Sequence, residues 1–298
     1  MATFYGEKES NILKTWIYLT LMSLFIVAVG WAISQYTGSY MFLWIGLVIS
    51  IFGSFYSYFY SDKLVLRMSN AEVAKKSEYP EYYRLVENLA MSEGMPMPEL
   101  YILKEDQPNA FATGRNPDNS VIAATQGLLD IMDRLELEAV LAHELSHIKN
   151  RDILLQTVVV VLAATVAFTS RIFLRSAMFG RRSRNKGGII TLVFALLVAI
   201  LAPLVATILK LAVSRKREHL ADSSAALMTR HPQALADALE KIKNYPKSMK
   251  TANDATAHLY IMNPFRNDTD KKQKWIHKLF STHPPLEERI GKLKEIDI

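Results

Sequence analysis

The chain of 298 residues contains no cysteine. Disulfide bonds, a thiol nucleophile and every cysteine-ligated metal site are therefore excluded. The absence suits soluble parts that face a reducing cytoplasm, without proving that location. The sequence also has no internal repeat, no low-complexity segment and no basic patch interleaved with stacking aromatic side chains. We therefore assign the net charge of +6 to lysines and arginines beside hydrophobic segments, and expect no nucleic-acid partner.

Charged residues are missing between Lys14 and Asp62, from residues 153–170 and from residues 187–209. A membrane helix needs roughly 20 apolar residues, so the first stretch is long enough for two helices and the others for one each. Residues 36–40 interrupt the first stretch and predict the tip of a hairpin. The apolar core before this tip is too long for a cleaved signal peptide, which predicts an uncleaved anchor. The absence of ionisable side chains from all four runs argues against a transporter or a channel.

A polar segment follows at residues 62–151 and predicts a globular part. Residues 80–92 have apolar side chains at helical spacing, and residues 100–103 predict a strand. Residues 110–124 hold two apolar runs around a strong turn signal, which completes a small antiparallel sheet. Residues 133–136 read DRLE and predict a capping box that opens a further helix.

That predicted helix carries an HExxH motif, HELSH, at residues 143–147. His143 and His147 are four residues apart and share one face of a helix, where both imidazoles can reach one zinc ion. Glu144 can then act as a base on a water bound to the ion. The alternative is a chance match in a helix with surface charges. The position in the middle of the helix and the apolar surroundings of Glu144 favour the zinc site.

A catalytic zinc needs a third protein ligand and one position open to water. Residues 214–222 predict a second helix, on which Glu218 and Asp222 share a face. Glu218 can bind the metal, and Asp222 can accept the remaining N–H of a ligand histidine. His219 is a competing ligand, but it projects about 100° away from Glu218. Local chemistry favours Glu218.

Four motifs together resemble the HtpX proteases, bacterial membrane zinc metallopeptidases related to the eukaryotic CAAX prenyl endopeptidases. They are QPNAFATG at residues 107–114, HELSH at 143–147, REHLAD at 217–222 and THPPLEER at 282–289. The resemblance covers nearly the whole chain, including the paired hydrophobic runs. It departs at His219, where family members often carry an aromatic residue.

The resemblance implies a mainly α-helical integral membrane protein with four hydrophobic helices and an α+β, zincin-like catalytic domain containing the small antiparallel sheet. The expected organisation has four parts. A transmembrane hairpin spans residues 1–61, a first catalytic part spans 62–152, a second hydrophobic hairpin spans 153–209 and a second catalytic part spans 210–298. Residues 245–274 are polar and predict a long loop within the last part.

The resemblance also implies roles for individual residues. Glu218 would be the third ligand of one Zn2+ ion per subunit, and Asp222 would support a ligand histidine. His283 and Arg289 would stabilise the oxyanion or position nearby groups. The alternative for His283 is a turn residue that caps the last helix. The edge strand on which a substrate backbone docks would contain Asn109, Ala110 and Phe111.

Basic residues predict the side on which the catalytic parts lie. The ends of the first hairpin carry Lys8, Lys14, Lys63 and Arg67. By the positive-inside rule they favour a cytoplasmic catalytic domain on a multi-pass protein of the bacterial plasma membrane. Residues 171–186 carry six further basic residues and favour the same side, which conflicts with a fully spanning second hairpin. A re-entrant or incompletely inserted pair of helices is the alternative.

The predicted function is that of a membrane-bound zinc endopeptidase. The resemblance further implies that it cleaves misfolded or damaged membrane proteins at the cytoplasmic face, in protein quality control and stress response. One alternative is a prenyl-protein endopeptidase, although four candidate spans disfavour the enclosed chamber that a lipidated tail requires. Another is a membrane adaptor with a structural zinc, which should be closed by four protein ligands.

Overall fold

Two long helices begin the chain in this computed structural model, which describes residues 4–161, 215–250, 256–265 and 285–297. Helix α1 spans Phe4–Thr37 and helix α2 spans Met41–Met68, so the predicted hairpin tip lies where the chain turns. Both helices are long and apolar enough to cross a membrane. Their outward side chains include Leu24, Trp31, Trp44 and Phe52, each more than half exposed. A core helix of a soluble protein would bury such side chains, so the hairpin fits a membrane environment.

Small residues hold α1 and α2 against each other. A Cβ atom at Gly30 would lie 2.7 Å from the carbonyl oxygen of Phe42 and 3.3 Å from the Cα of Gly46. Only glycine fits at this approach of two backbones. The hydroxyls of Ser23 and Ser54 lie 2.7 Å apart across the same interface. Close backbone contact and hydrogen bonds of this kind stabilise helix pairs in lipid, where the hydrophobic effect does not.

Four short strands form a sheet after the hairpin, in the order β1-β2-β4-β3. They span Glu72–Val73 (β1), Glu99–Leu103 (β2), Ala110–Asn116 (β3) and Asn119–Thr125 (β4). Strands β3 and β4 pair antiparallel, as predicted. The prediction of an antiparallel sheet is wrong for β2 and β4, which pair in parallel. Strand β4 is buried on both faces, which is typical of a parallel strand. The pattern of apolar and polar residues in the sequence did not reveal this parallel pairing.

A central helix carries the HExxH motif. Helices α3 (Pro80–Ser92), α4 (Gln126–Ile131) and α5 (Arg134–Lys149) complete the first globular part. The predicted capping box opens α5: Asp133 Oδ1 accepts a hydrogen bond from the Glu136 amide, and Glu136 Oε2 accepts one from the Asp133 amide, each at 2.9 Å. Every residue from 139 to 148 is buried. A helix buried on all sides lies at the centre of its domain, and α5 does so here.

Two apolar cores flank the sheet. On one face, α3 and α5 pack together with α7 (Arg215–Thr229), α8 (Pro232–Asn244) and α9 (Leu286–Lys294). On the other face pack α6 (Asp152–Val161) and the membrane hairpin, through Tyr18, Leu19 and Val65. The sheet thus lies between the helices that pack around α5 and the α1–α2 hairpin, and α7 lies against α5.

The later hydrophobic runs are described only in part. The third run begins as α6, whose side chains are buried in the protein. Residues 162–214 lie outside the described residues, so the second hairpin and the total of four hydrophobic helices remain predictions.

The segment predicted as a polar loop is partly a core element. Residues 256–265 are irregular, with one 3-10 turn at Ala257–Leu259, as expected for a loop. However, Leu259, Tyr260 and Ile261 are buried, and the Tyr260 ring packs edge-on against Phe111 with 5.1 Å between centroids. Residues 251–255 and 266–284 lie outside the described residues.

Candidate metal centre

Two histidines of α5 meet one glutamate of α7. The Nε2 atoms of His143 and His147 lie 3.2 Å apart. Glu218 places Oε2 at 3.9 Å from His143 Nε2 and Oε1 at 3.6 Å from His147 Nε2. All three side chains are buried, and the three candidate ligand atoms lie within 4.8 Å of one another. Ligands at metal bonds of about 2.0–2.2 Å in a tetrahedron are about 3.3–3.6 Å apart, so the cluster suits one metal ion.

A carboxylate contacts the Nδ1 atom of each histidine, on the side of the ring opposite Nε2. Asp222 Oδ1 lies 3.0 Å from His143 Nδ1, and Asp152 Oδ2 lies 3.0 Å from His147 Nδ1. A carboxylate at Nδ1 fixes the tautomer and leaves Nε2 to bind a metal. Asp222 lies one turn after Glu218 on α7, as its spacing predicted. Asp152 was not predicted, because it follows the end of α5 beyond a turn in which Arg151 has a φ of 58°.

Arg289 of α9 joins the last helix to this centre. It is fully buried, and it donates from Nε and Nη2 to the two oxygens of Asp222 at 2.9 and 2.7 Å. Its Nη1 donates to the carbonyl oxygen of Ile261 at 3.2 Å. Such a two-point contact orients a carboxylate as well as neutralising it. Arg289 therefore fixes Asp222, and through it the ring of His143.

The buried cluster carries an excess of negative charge. It contains two guanidinium groups, Arg217 and Arg289, against the four carboxylates of Glu144, Asp152, Glu218 and Asp222. With neutral imidazoles, this composition gives a net charge of −2. A divalent cation would balance that charge, so the residues fit a bound divalent metal.

The pKa values of the side chains follow from these surroundings. Burial and the nearby Arg289 lower the pKa of His143 to about 4, despite its bond to Asp222. Burial alone would lower the pKa of His147, but the carboxylates of Asp152 and Glu218 raise it to about 9. Burial opposes ionisation of Asp222, yet Arg289 holds its pKa below the usual range. A cation bound by the two imidazoles would therefore have to replace the proton that the carboxylates favour on His147.

Comparison with known proteins assigns the family. A family model described as Peptidase family M48 matches residues 76–297, well over half of the chain. The chain belongs to peptidase family M48. A "Protease HtpX homolog" of Dictyoglomus thermophilum is 42% identical over 294 residues, which cover 98% of this chain and 94% of the relative. Another from Pyrococcus furiosus is 43% identical over 287 residues, covering 95% of each. The resemblance to HtpX proteases predicted from the motifs is confirmed.

A solved structure has a fold similar to that of this M48 chain. The crystal structure of S. mikatae Ste24p matches it with a TM-score of 0.50 and 18% sequence identity. The match covers 97% of this chain and 67% of the other. At this identity the likeness concerns the fold alone. With the two candidate spans and the His-His-Glu cluster, the family membership makes this chain a membrane metalloprotease.

His219, the competing candidate for the third ligand, lies away from the two histidines. His219 Nε2 is 3.1 Å from Glu288 Oε1 and 2.9 Å from Lys292 Nζ, on the outer side of α7 toward α9. Glu218, and not His219, therefore lies beside the two histidines. Glu144 is buried next to His143, close enough to His147 and Arg289 to raise the pKa of each. His283 lies outside the described residues.

The predicted docking edge is occupied in part by the chain itself. Strand β3 lies at the edge of the sheet, as a docking strand must. However, the carbonyl oxygen of Ala110 accepts a hydrogen bond of 3.0 Å from the Ile261 amide. Asn109 Nδ2 donates to the carbonyl oxygen of Met262 at 2.8 Å. At Asn109-Ala110-Phe111 the edge is therefore covered by the segment predicted as a loop, and Ala112 is the next residue whose backbone points outward.

Replacing Arg289 by methionine should strongly destabilise the catalytic part. The change leaves the buried carboxylate of Asp222 without its guanidinium, and breaking a buried pair in this way costs about 3–5 kcal/mol. We expect a large fall in the unfolding midpoint of the detergent-solubilised protein. Lys292→Met is the matched control, because it removes a cation of the same helix from an exposed pair with Glu288. Equal midpoints for the two variants would contradict the role given to Arg289.

Proposed function

We propose that this M48 peptidase is a zinc endopeptidase that cleaves misfolded or damaged membrane proteins at the cytoplasmic face of the bacterial plasma membrane. The observation that carries the proposal is the buried cluster of His143, His147 and Glu218 beside an exposed apolar hairpin. Two imidazoles and one carboxylate are a ligand set typical of catalytic zinc, which keeps a fourth position for water. One Zn2+ ion per subunit would also balance the buried negative charge.

The roles of the residues follow from their positions. Bound zinc would acidify a coordinated water and polarise the scissile carbonyl group. Glu144 takes the proton of the attacking water and returns it to the leaving amine. Asp222 and Asp152 keep the Nε2 atoms of both histidines directed at the metal.

Two further groups complete the proposed mechanism. Arg289 donates two hydrogen bonds to Asp222 and one to the Ile261 carbonyl, and its Nη1 lies 3.6 Å from Glu218 Oε2, so we give it a positioning role and not that of an oxyanion donor. His283 is proposed as the donor to the developing oxyanion of the substrate.

The free part of the β3 edge favours a substrate with an unfolded backbone. A substrate strand would pair with β3 from Ala112 onward, because the chain itself covers Ala110. Pairing of this kind needs an extended backbone whose own hydrogen bonds are not already made. A folded domain offers few such segments, whereas a damaged membrane protein exposes them next to the bilayer.

Two membrane-anchored substrates test this preference. They share one anchor and one cytoplasmic domain, and differ by a core substitution that unfolds the domain. In proteoliposomes we expect rapid cleavage of the unfolded version and little cleavage of the folded one. A soluble copy of the unfolded domain measures the contribution of the anchor and should be cleaved more slowly. Equal cleavage of the folded and unfolded versions would refute quality control as the function.

The cytoplasmic location can be tested with single cysteines, because the chain has none of its own. Ser39→Cys lies at the tip of the hairpin and Ser77→Cys lies in the globular part, and both positions are exposed. In intact spheroplasts, a membrane-impermeant maleimide should label Ser39→Cys at once and Ser77→Cys only after lysis. The reverse order of labelling would place the catalytic part outside the cell.

A further inference from the structure

A polar side chain of the membrane hairpin reaches the metal centre. Asn11 lies near the start of α1 and is almost completely buried. Its Nδ2 donates to Asp152 Oδ1 at 2.6 Å and to the carbonyl oxygen of Asn150 at 3.3 Å. The other oxygen of Asp152 lies 3.0 Å from His147 Nδ1. A continuous chain of hydrogen bonds therefore runs from the first membrane helix to a metal-ligand histidine.

The oxygen of the same amide contacts the helix of the third ligand. Asn11 Oδ1 accepts a hydrogen bond of 3.4 Å from Arg217 Nη1, and Arg217 directly precedes Glu218 on α7. Arg217 Nε also lies 3.6 Å from Asp152 Oδ1. A primary amide carries a donor and an acceptor at once, and both are used here. Asn11 thus joins the residue that holds His147 to the neighbour of Glu218.

The residues that follow Asn11 on this face of α1 make different contacts. Thr15 is one turn further along and equally buried, but its hydroxyl donates back to the carbonyl oxygen of Asn11 within the helix. Tyr18 follows on the same face and packs in the apolar core on the hairpin side of the sheet. Among the residues of this face whose side chains the structure describes, Asn11 is therefore the one that forms side-chain hydrogen bonds with other elements of the metal centre.

We propose that Asn11 is a positioning residue of the metal centre. It fixes the carboxylate of Asp152, which in turn sets the orientation of the His147 ring. The membrane hairpin is then a structural part of the zinc site as well as an anchor. The inference rests on the proposed zinc centre, because a site without zinc would give Asn11 nothing to position.

Zinc affinity of the full-length protein in detergent tests the proposal, measured by competition with a chromophoric chelator. Asp152→Asn should weaken binding about 10–100-fold, as the loss of such a support usually does. Asn11→Leu, of similar size but without hydrogen bonds, should weaken it about tenfold, at the lower end of that range. In the double variant, Asn11→Leu should add nothing to Asp152→Asn, because Asn11 acts through that carboxylate. Thr15→Ala is the matched control and should bind as the wild type does.

A spectroscopic measurement separates positioning from mere stability. With cobalt in place of zinc, the visible ligand-field bands report the geometry of the ligands. Asn11→Leu should shift these bands in the folded protein, whereas a variant that is only less stable would keep the wild-type spectrum. If leucine prevents folding, Asn11→Ala provides the same comparison with a smaller side chain.

The outcomes distinguish this inference from the function on which it rests. A wild-type protein that binds no zinc would overturn the proposed function itself. A wild type that binds zinc tightly, with unchanged affinity and cobalt bands in Asn11→Leu or Asn11→Ala, would overturn the role of Asn11 alone. Effects of Asn11→Leu and Asp152→Asn that simply multiply would also overturn it, because independent sites do not act through one another.

Discussion

Replacing Glu144 by glutamine should abolish proteolysis while the metal stays bound. Glutamine has the size of glutamate but cannot take a proton from the attacking water. Loss of a general base typically lowers a rate by about 10²–10⁴-fold. Zinc affinity should hardly change, because His143, His147 and Glu218 are all retained. The measurement pairs the rate of cleavage of an unfolded protein with the zinc content of the same sample.

A control on the same helix makes this result specific. Glu138→Gln removes a partly exposed carboxylate of α5 that lies more than one turn before the histidines. We expect this variant to cleave at the wild-type rate. Proteolysis retained in Glu144→Gln would show that another group is the base. Loss of zinc in Glu144→Gln would instead mean that Glu144 helps to hold the metal.

Replacing Glu218 by alanine should remove the metal, whereas replacing its neighbour His219 should not. Glu218 is the only carboxylate among the three clustered ligand side chains of the described residues. Its loss leaves two imidazoles and also reduces the buried negative charge. We expect zinc affinity to fall by more than about 100-fold, beyond the usual effect of losing a residue that only supports a ligand. Proteolysis should fall in proportion to the bound zinc.

His219→Ala is the matched comparison for that variant. The side chain of His219 contacts Glu288 and Lys292 on the outer side of α7, so its removal should leave zinc affinity and the cleavage rate unchanged. Zinc affinity, measured by chelator competition on both variants, decides whether Glu218 or His219 is the third ligand. A large loss of zinc in His219→Ala, with normal binding in Glu218→Ala, would reverse the assignment.

Local patterns in the sequence were sufficient for the centre of the site. The spacing of His143 and His147 places both on one face of a helix whatever surrounds it, and the same holds for Glu218 and Asp222. The capping box at Asp133 and the hairpin between β3 and β4 are local in the same sense. These features form through contacts between residues close in sequence, so their patterns can be read without knowing the fold.

The residues that the sequence did not reveal depend on distant contacts. Asp152 follows a turn at Arg151, so helical spacing from His147 does not lead to it. Asn11 precedes the charge-free run that begins after Lys14, and it meets Asp152 only because α1 packs beside α6. The burial of Tyr260 and Ile261 depends on β3 and Arg289, whose positions are set by the whole fold. Parallel pairing of β2 with β4 likewise cannot be inferred from either strand alone.

Zinc add-back to metal-stripped, full-length protein tests the central claim most directly. Cleavage of an unfolded protein is followed as zinc is titrated, with bound zinc measured in the same samples and Glu144→Gln run in parallel. The account predicts that cleavage rises with occupancy up to one zinc per chain and is absent from the variant throughout. Tight zinc binding without cleavage of this or any membrane-anchored substrate would contradict it, and would favour a structural metal in a non-enzymatic membrane protein.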